Sequence, residues 1–246
     1  MTRADPQSAA LVGKRFIVTG ASSGIGAAIA TKLADAGAEL VLLGRSKTRL
    51  LRSVPRRDAA AVRYVVVDFA RGDSLSAALR RLRTDRRPFD GLIHSAGAYD
   101  HRKLMVSAPK VLARLMMVNV EAPVFLTLGL RDRLSPEAQV IFVNSSIVQR
   151  PAVDAAYYAA TKHALRSLAD SLRQEINSTG VRVTSLFPGR TATPMQRGIT
   201  KKEKRRYDAS ALIQPADIAQ LVSALVVLPR TIEITDVFMR PTSRAV

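Results

Sequence analysis

Thr19-Gly20-Ala21-Ser22-Ser23-Gly24-Ile25-Gly26 is the stretch on which the fold turns. It follows the apolar run from Lys14 to Thr19 and opens into Ala27-Ala28-Ile29-Ala30, so an apolar strand gives way to a helix within a few residues. Gly20 lets the chain turn off the strand. Gly24 admits backbone N–H groups close to an anion, and Gly26 lets the helix lie against the sheet. The spacing is T-G-x-x-x-G-x-G rather than the commoner G-x-G-x-x-G, and a tight strand-to-helix turn with no ligand is the competing reading.

From that loop outward, apolar runs alternate with helical ones. Helical periodicity covers Gly24 to Ala36, and strand-like runs follow at Ala38 to Leu43, Val62 to Val67 and Asp90 to His94. Pro109 to Leu130 reads as a long amphipathic helix, Gln139 to Asn144 as a strand, and Asp154 to Asn177 as a helix ending before Gly180. Val181 to Phe187 is a further strand. An irregular stretch runs from Pro188 through the basic residues Lys201 to Arg206, a helix follows Pro215, and a last strand covers Ile232 to Met239. Apolar runs without polar alternation fit strands buried on both faces, and their alternation with helices implies right-handed crossovers. The expectation is an α/β fold, a doubly wound parallel sheet, in one domain over residues 1–246, with ligands beyond the carboxyl ends of the strands.

The 246 residues carry 47% hydrophobic and 24% charged side chains, which excludes wholesale disorder and collagen-like repeats. With no cysteine, disulfides, thiolate nucleophiles and cysteine-bound zinc are excluded. Only His94, His101 and His163 remain for a histidine cage, so no metal site is expected. No apolar leader is seen in the opening residues, and no run is read as approaching the roughly 20 apolar residues of a membrane span, so a cytoplasmic location is expected. The net charge of +18 would attract nucleic acid or phosphorylated ligands. Its arginines are spread out, however, with knots at Arg80–Arg87 and Lys201–Arg206, and 5% aromatics with no tryptophan leave little for base stacking. A solvated arginine-rich surface is preferred to a nucleic-acid site.

The second strand ends Val41-Leu42-Leu43-Gly44-Arg45-Ser46. A dinucleotide site selective for NAD places a carboxylate at such a strand end for the ribose 2′-OH, whereas NADP needs a cation for its 2′-phosphate. Arg45 therefore favours NADP(H) over NAD(H), against the alternative of an ordinary surface arginine. Farther on, Tyr158-Ala159-Ala160-Thr161-Lys162 sets a phenol and an ammonium on one helical face at i and i+4. Bringing a phenol from about 10 to about 7 takes roughly 4 kcal/mol, which a lysine and an oxidised nicotinamide are expected to supply at low dielectric. Tyr157 has Thr161 four residues on and is excluded from that role. Val143-Asn144-Ser145-Ser146 delivers two hydroxyls to the carboxyl edge of the sheet, either of which can donate to a substrate carbonyl.

Taken together, these elements resemble the short-chain dehydrogenase/reductase family in its compact single-domain form, over nearly the whole chain. The family's glycine loop corresponds to Thr19, Gly20, Ser22, Ser23, Gly24, Ile25 and Gly26, and its acidic residue after the third strand to Asp68, followed by Phe69. Its N-A-G-like element corresponds to His94-Ser95-Ala96-Gly97, its helix asparagine to Asn119, its Y-x-x-x-K to Tyr158 and Lys162, and its P-G turn to Pro188, Gly189 and Thr191. The resemblance implies a Rossmann fold and hydride transfer between NADP(H) and a carbonyl or alcohol substrate. Tyr158 would be the proton donor or acceptor, and Lys162 would hold the nicotinamide ribose. Ser145, thirteen residues before Tyr158 as is usual in the family, is preferred to Ser146 for orienting the substrate oxygen. Asn119 would hold a water linking Lys162 to solvent. Ser22, Ser23 and Ile25 would meet the pyrophosphate. Asp68 and Phe69 would lie by the adenine, Ser95, Ala96 and Gly97 would let the cofactor approach, and Pro188, Gly189 and Thr191 would flank the carboxamide. A homodimer or homotetramer through the helices around Pro109–Leu130 and Asp154–Asn177 is also implied.

Departures from the family pattern are His94 and Ser95 in place of paired asparagines, and Gln149 near a usual glycine. His163 is read as surface or subunit contact, and His101 as a solvated histidine in preference to a substrate contact. Residues 193–214 are expected to fold over the nicotinamide as a lid lined by Met195, Leu212 and Ile213. Within it, Lys201 to Arg206 either attracts an anionic or carrier-bound substrate or forms a solvated turn, the second reading being preferred. The alternative to an enzyme is a non-catalytic Rossmann-fold binding or redox-sensing protein that uses its basic surface for nucleic acid.

Overall fold

β1 (Arg15–Thr19) is buried at all five positions, as a strand covered on both faces must be. The computed structural model describes residues 10–54 and 62–242, so the opening residues in which no leader was expected lie outside the described part. From the glycine loop the chain enters α1 (Gly24–Asp35), then β2 (Glu39–Gly44), the short α2 (Lys47–Ser53) and β3 (Val62–Val66). Next come α3 (Gly72–Arg83), β4 (Phe89–His94), α4 (Pro109–Met116) and α5 (Ala122–Leu130), the last two joined through a π-helical turn at Met117–Glu121. β5 (Leu134–Val143), α6 (Ala156–Ile176), β6 (Arg182–Pro188), α7 (Pro194–Lys202), α8 (Pro215–Leu225) and β7 (Asp236–Met239) complete the order.

The seven strands form one parallel sheet in the order β3-β2-β1-β4-β5-β6-β7. Strand order reverses between β1 and β4, and the loops leaving those two strands are the switch point at which such sheets bind ligands. One face is covered by α3, α5 and α6, whose Leu82, Leu126 and Leu165 pack with Leu92 and Phe142 of the sheet. The other face is covered by α1, α2 and α8, whose Leu33, Leu50 and Val222 pack with Phe16 and Ile141. The expected doubly wound sheet is therefore present.

Three local readings change. α2 and α3 were not singled out in the sequence, and α7 occupies part of the stretch read as irregular. Its start is marked by Thr193, whose hydroxyl accepts from the Gln196 N–H at 3.1 Å, with Pro194 in the first turn. The expectation that no run approaches a membrane span is also corrected. The continuous helix Pro109–Arg133 is long and apolar enough by composition, but Val118, Leu126 and Leu130 are buried in the core against the sheet.

Candidate active site

The glycine loop is shaped by close backbone approach. A Cβ at Gly20 (φ +68°) would lie 2.7 Å from the backbone nitrogen of Ala96, so only glycine lets the loop after β1 touch the loop after β4. Thr19 fixes the same junction from beneath, its hydroxyl accepting from the N–H groups of Ser95 and Ala96, both at 3.1 Å. A Cβ at Gly26 would meet the Gly20 carbonyl oxygen at 2.6 Å, so this glycine seats α1 against the turn. Thr19 and Gly26, both expected at the cofactor, line neither cavity described below; they shape the loop that does.

Two adjoining cavities open at the carboxyl edge of the sheet. The first, about 470 Å³, is lined by Gly20, Ser22, Ser23, Gly24 and Ile25 of the loop, by Arg45 at the end of β2, and by Asp68 and Phe69 after β3. Arg45 is exposed and has no ion-pair partner among the described residues. Asp68 is tied locally, its carboxylate accepting from the Ala70 N–H at 3.1 Å, and the Phe69 ring is largely buried in the core. The second cavity, about 860 Å³, shares Ser95, Ala96 and Gly97 with the first and is otherwise walled by Ser145, Ser146, Tyr158, Lys162, Pro188, Gly189 and Thr191. An anion-accepting loop, a free guanidinium and no carboxylate at the end of β2 fit a dinucleotide carrying a 2′-phosphate.

Tyr158 and Lys162 leave α6 on one face, as the four-residue spacing requires. The ammonium lies 5.8 Å from the centre of the Tyr158 ring and donates to the Val143 carbonyl at 3.0 Å. Loss of hydration pushes the Tyr158 phenol up to about 12, and a hydrogen bond with the Ser145 side chain acts the other way. Burial brings Lys162 down to about 8. Desolvation of the phenol dominates here, while the ammonium is turned toward the backbone of β5; the lowering expected from Lys162 together with an oxidised nicotinamide belongs to the dinucleotide-bound site. Ser145 and Ser146 stand with Tyr158 in the wall of the larger cavity. Ser146 begins the short 3₁₀ turn Ser146–Gln149, which the Ser145 hydroxyl caps by accepting from the Ile147 N–H.

Asn119 sits in the π-helical turn and is almost fully buried. Its Oδ1 accepts from the Ala98 N–H at 2.7 Å, and its Nδ2 donates to the Ala98 carbonyl at 2.9 Å and to the Thr161 hydroxyl at 3.0 Å. Both N–H groups are engaged by protein and Asn119 lines neither cavity, so the structure makes it a clamp between the loop after β4 and α6 rather than a wall of the site. Asn119 thus sits where the regular helix is interrupted by one extra residue in the turn.

His94 replaces the family asparagine by filling space. It stacks on Phe142 at 5.0 Å, and its Nε2 meets the Thr127 hydroxyl at 2.8 Å. That hydroxyl donates to the Pro123 carbonyl, so Nε2 must carry the proton it shares with Thr127. Burial holds His94 at about 3, neutral at ordinary pH. His163 is exposed as expected, whereas His101 lies in the wall of the larger cavity, its Nδ1 3.3 Å from the Tyr99 hydroxyl. Tyr99 was missed in the sequence. It packs edge-on against Tyr158 with ring centres 4.8 Å apart, and its only signal is its place two residues after Gly97.

Comparison with known proteins agrees with this geometry. A family model described as short chain dehydrogenase matches residues 14–204. An uncharacterized oxidoreductase of Staphylococcus epidermidis is 30% identical over 230 residues, covering 93% of this chain and 97% of its own. A short chain dehydrogenase from Burkholderia cenocepacia, solved in complex with NADP, is 28% identical with a TM-score of 0.83 and coverage of 94% and 98%. A putative short chain dehydrogenase from Escherichia coli, solved with NADPH, is 26% identical with a TM-score of 0.85 and coverage of 95% and 99%. With a matched family model over most of its length and a seven-stranded Rossmann sheet, the chain belongs to the short-chain dehydrogenase/reductase family of oxidoreductases.

Proposed function

We propose that the chain is an NADP(H)-dependent reductase of a small carbonyl compound, acting through Tyr158, Ser145 and Lys162 with Asn119 as a positioning residue. The observation that carries this reading is the Tyr158 phenol standing with Ser145 and Lys162 in the wall of a cavity that adjoins the one beside the glycine loop. Gly20 to Ile25 would hold the pyrophosphate and Arg45 the 2′-phosphate, while Ser95, Ala96 and Gly97 line the passage between the cavities and Pro188, Gly189 and Thr191 flank the nicotinamide. Bound NADPH supplies a hydride. The relatives solved with NADP and NADPH support this choice.

Ser145 orients the substrate oxygen and Tyr158 gives it a proton as negative charge develops there. Lys162 lines the same cavity, and its ammonium favours the charge left on the tyrosine oxygen. Residues 193–214 serve as the lid: Thr191 and Ile213 pair at its base, and of the expected lining Met195 borders the larger cavity, with Gln196 and Ile199 in place of Leu212 and Ile213. Assembly as a homodimer or homotetramer is supported by Phe125, Leu128 and Leu168, which leave apolar surface exposed on the outer faces of α5 and α6.

Tyr158→Phe tests the reading. We expect NADPH to bind near the parent affinity, followed by fluorescence, and turnover on an accepted carbonyl compound to fall about 10²–10⁴-fold. Turnover retained in that variant removes the assigned acid.

A further inference from the structure

Resting on the reductase reading, we propose that the substrate carries an anionic group, a carboxylate or a phosphate, held in the larger cavity by Lys204 and Arg205 just past the end of α7. Among the described residues, Lys204 is the only non-glycine with a left-handed backbone, at φ 55°. Its N–H donates to the Lys201 carbonyl at 3.2 Å and the Arg205 N–H to the Thr200 carbonyl at 3.1 Å, the pair of bonds that closes a helix with a left-handed residue where glycine usually stands. A side chain there is strained. The strained residue is a cation, and it lines the cavity that Tyr158 lines.

The basic run is sorted by position. Lys202, Lys204 and Arg205 border the larger cavity, while Lys201 and Arg206 do not. None of the three bordering residues pairs with an acid among the described residues. Glu203, inside the same run, is gripped by Arg190 through two hydrogen bonds of 2.7 Å, so its charge is answered elsewhere. Asp154 is the other carboxylate in the wall, which Arg150 also lines. Cations in the last helical turn answer the helix dipole, which accounts for Lys201 and Lys202 but not for cations beyond the end of the helix. Free positive charge beside a concave wall concentrates anions there. Because Lys202 also borders the smaller cavity, it is left out of the test.

The test pairs para-carboxybenzaldehyde with its methyl ester, and glyceraldehyde phosphate with glyceraldehyde, following NADPH oxidation by the full chain. We expect the anion-to-neutral ratio of kcat/KM to exceed one in at least one pair, the favoured pair telling carboxylate from phosphate. That ratio should fall about tenfold in Lys204→Gly and in Arg205→Gln and hold in Lys201→Gln and Arg206→Gln. Lys204→Gly also relieves the left-handed strain, so Tm should rise by about 2–4 °C, which separates lost recognition from lost folding. Ratios at or below one, or an equal fall in all four variants, overturn the proposal and leave the reductase reading standing. If no aldehyde is reduced, the reductase reading fails, and calorimetry of the same anions with NADP+-saturated protein decides the anion site alone. Binding weakened tenfold by Lys204→Gly supports the site, and no binding overturns it.

Discussion

Tyr158, held near 12 by the protein packed around it, keeps its proton through the neutral range, while Lys162, brought down to about 8, loses its proton at mildly alkaline pH. A protonated phenol suits proton donation and thus reduction, and the ammonium that favours the resulting phenolate is present only below about pH 8. Reductive kcat/KM should therefore fall as pH rises through about 8, and Lys162→Arg, whose charge persists, should carry the fall to higher pH where it folds. A profile flat to strongly alkaline pH would show that this charge is unused. His94 gives a stability prediction of definite sign. Its folded value of about 3 lies below the ordinary 6.5, so between those values the unfolded chain binds a proton that the fold refuses. Stability is lost as pH falls through that window, with a contribution to the slope of at most about 1.4 kcal/mol per pH unit, and urea titrations of His94→Asn should show a shallower dependence. At Arg45, substitution by alanine should weaken NADPH by tenfold or more while changing NADH little, because each charge-assisted bond to the 2′-phosphate contributes about 1.5–3 kcal/mol. Equal weakening of both would place the phosphate elsewhere.

Among the elements, those carrying the site depart from regular geometry where function is assigned to them. The π turn between α4 and α5 is one case, since it carries Asn119, which bonds to Ala98 and Thr161. The glycine loop is another, forced by the contact between Gly20 and Ala96. α7 is the third, with a hydroxyl cap at Thr193 and a strained lysine just past its end. Thr193→Ala removes that cap and should weaken the start of α7 by about 1 kcal/mol. Amide exchange should accelerate across 194–202 with the central strands unchanged; acceleration spread over the whole chain would show that α7 does not open independently. α7 was not legible in the sequence because its residues are mostly polar and it sits over cavities rather than a packed core, which leaves a weak apolar stripe. The β-strands were legible because Ile17, Leu42 and Leu92 are buried on a sheet covered on both sides, so their runs stay apolar without interruption.

For the whole molecule, the charge of +18 divides into buried ties and free cations. Arg182 sits under the carboxyl-terminal segment and donates to the carbonyls of Leu228, Pro229 and Ile232. Arg173 bonds to the Val183 and Thr235 carbonyls, and Arg15 reaches Asp85 and the Arg87 carbonyl. In the knot from Arg80 to Arg87, Arg83 pairs with Asp132 and Arg87 with Glu39. A solvated arginine surface was the preferred reading, yet many of these guanidiniums fasten loops to the sheet, because five fixed donors can collect several carbonyls at once. For assembly, Phe125→Glu combined with Leu168→Glu should lower the mass in sedimentation equilibrium toward the 26.7 kDa of one chain, and an unchanged multiple of that mass would move the interface to another face.

The amino-acid order alone determined the doubly wound sheet, the glycine turn and the Tyr158–Lys162 pair, since each depends on local period or spacing: apolar runs for buried strands, glycines for a turn, four residues for one helical face. Only the tertiary structure decided which groups meet across the fold. It set Ser145 and Ser146 in one cavity wall with Tyr158, Tyr99 against the Tyr158 ring, Asn119 as a clamp, and three of the basic residues between 201 and 206 in that wall. It also set how dry the phenol is: burial pushes Tyr158 up, because desolvation depends on everything packed around a group and no spacing along one helix records it.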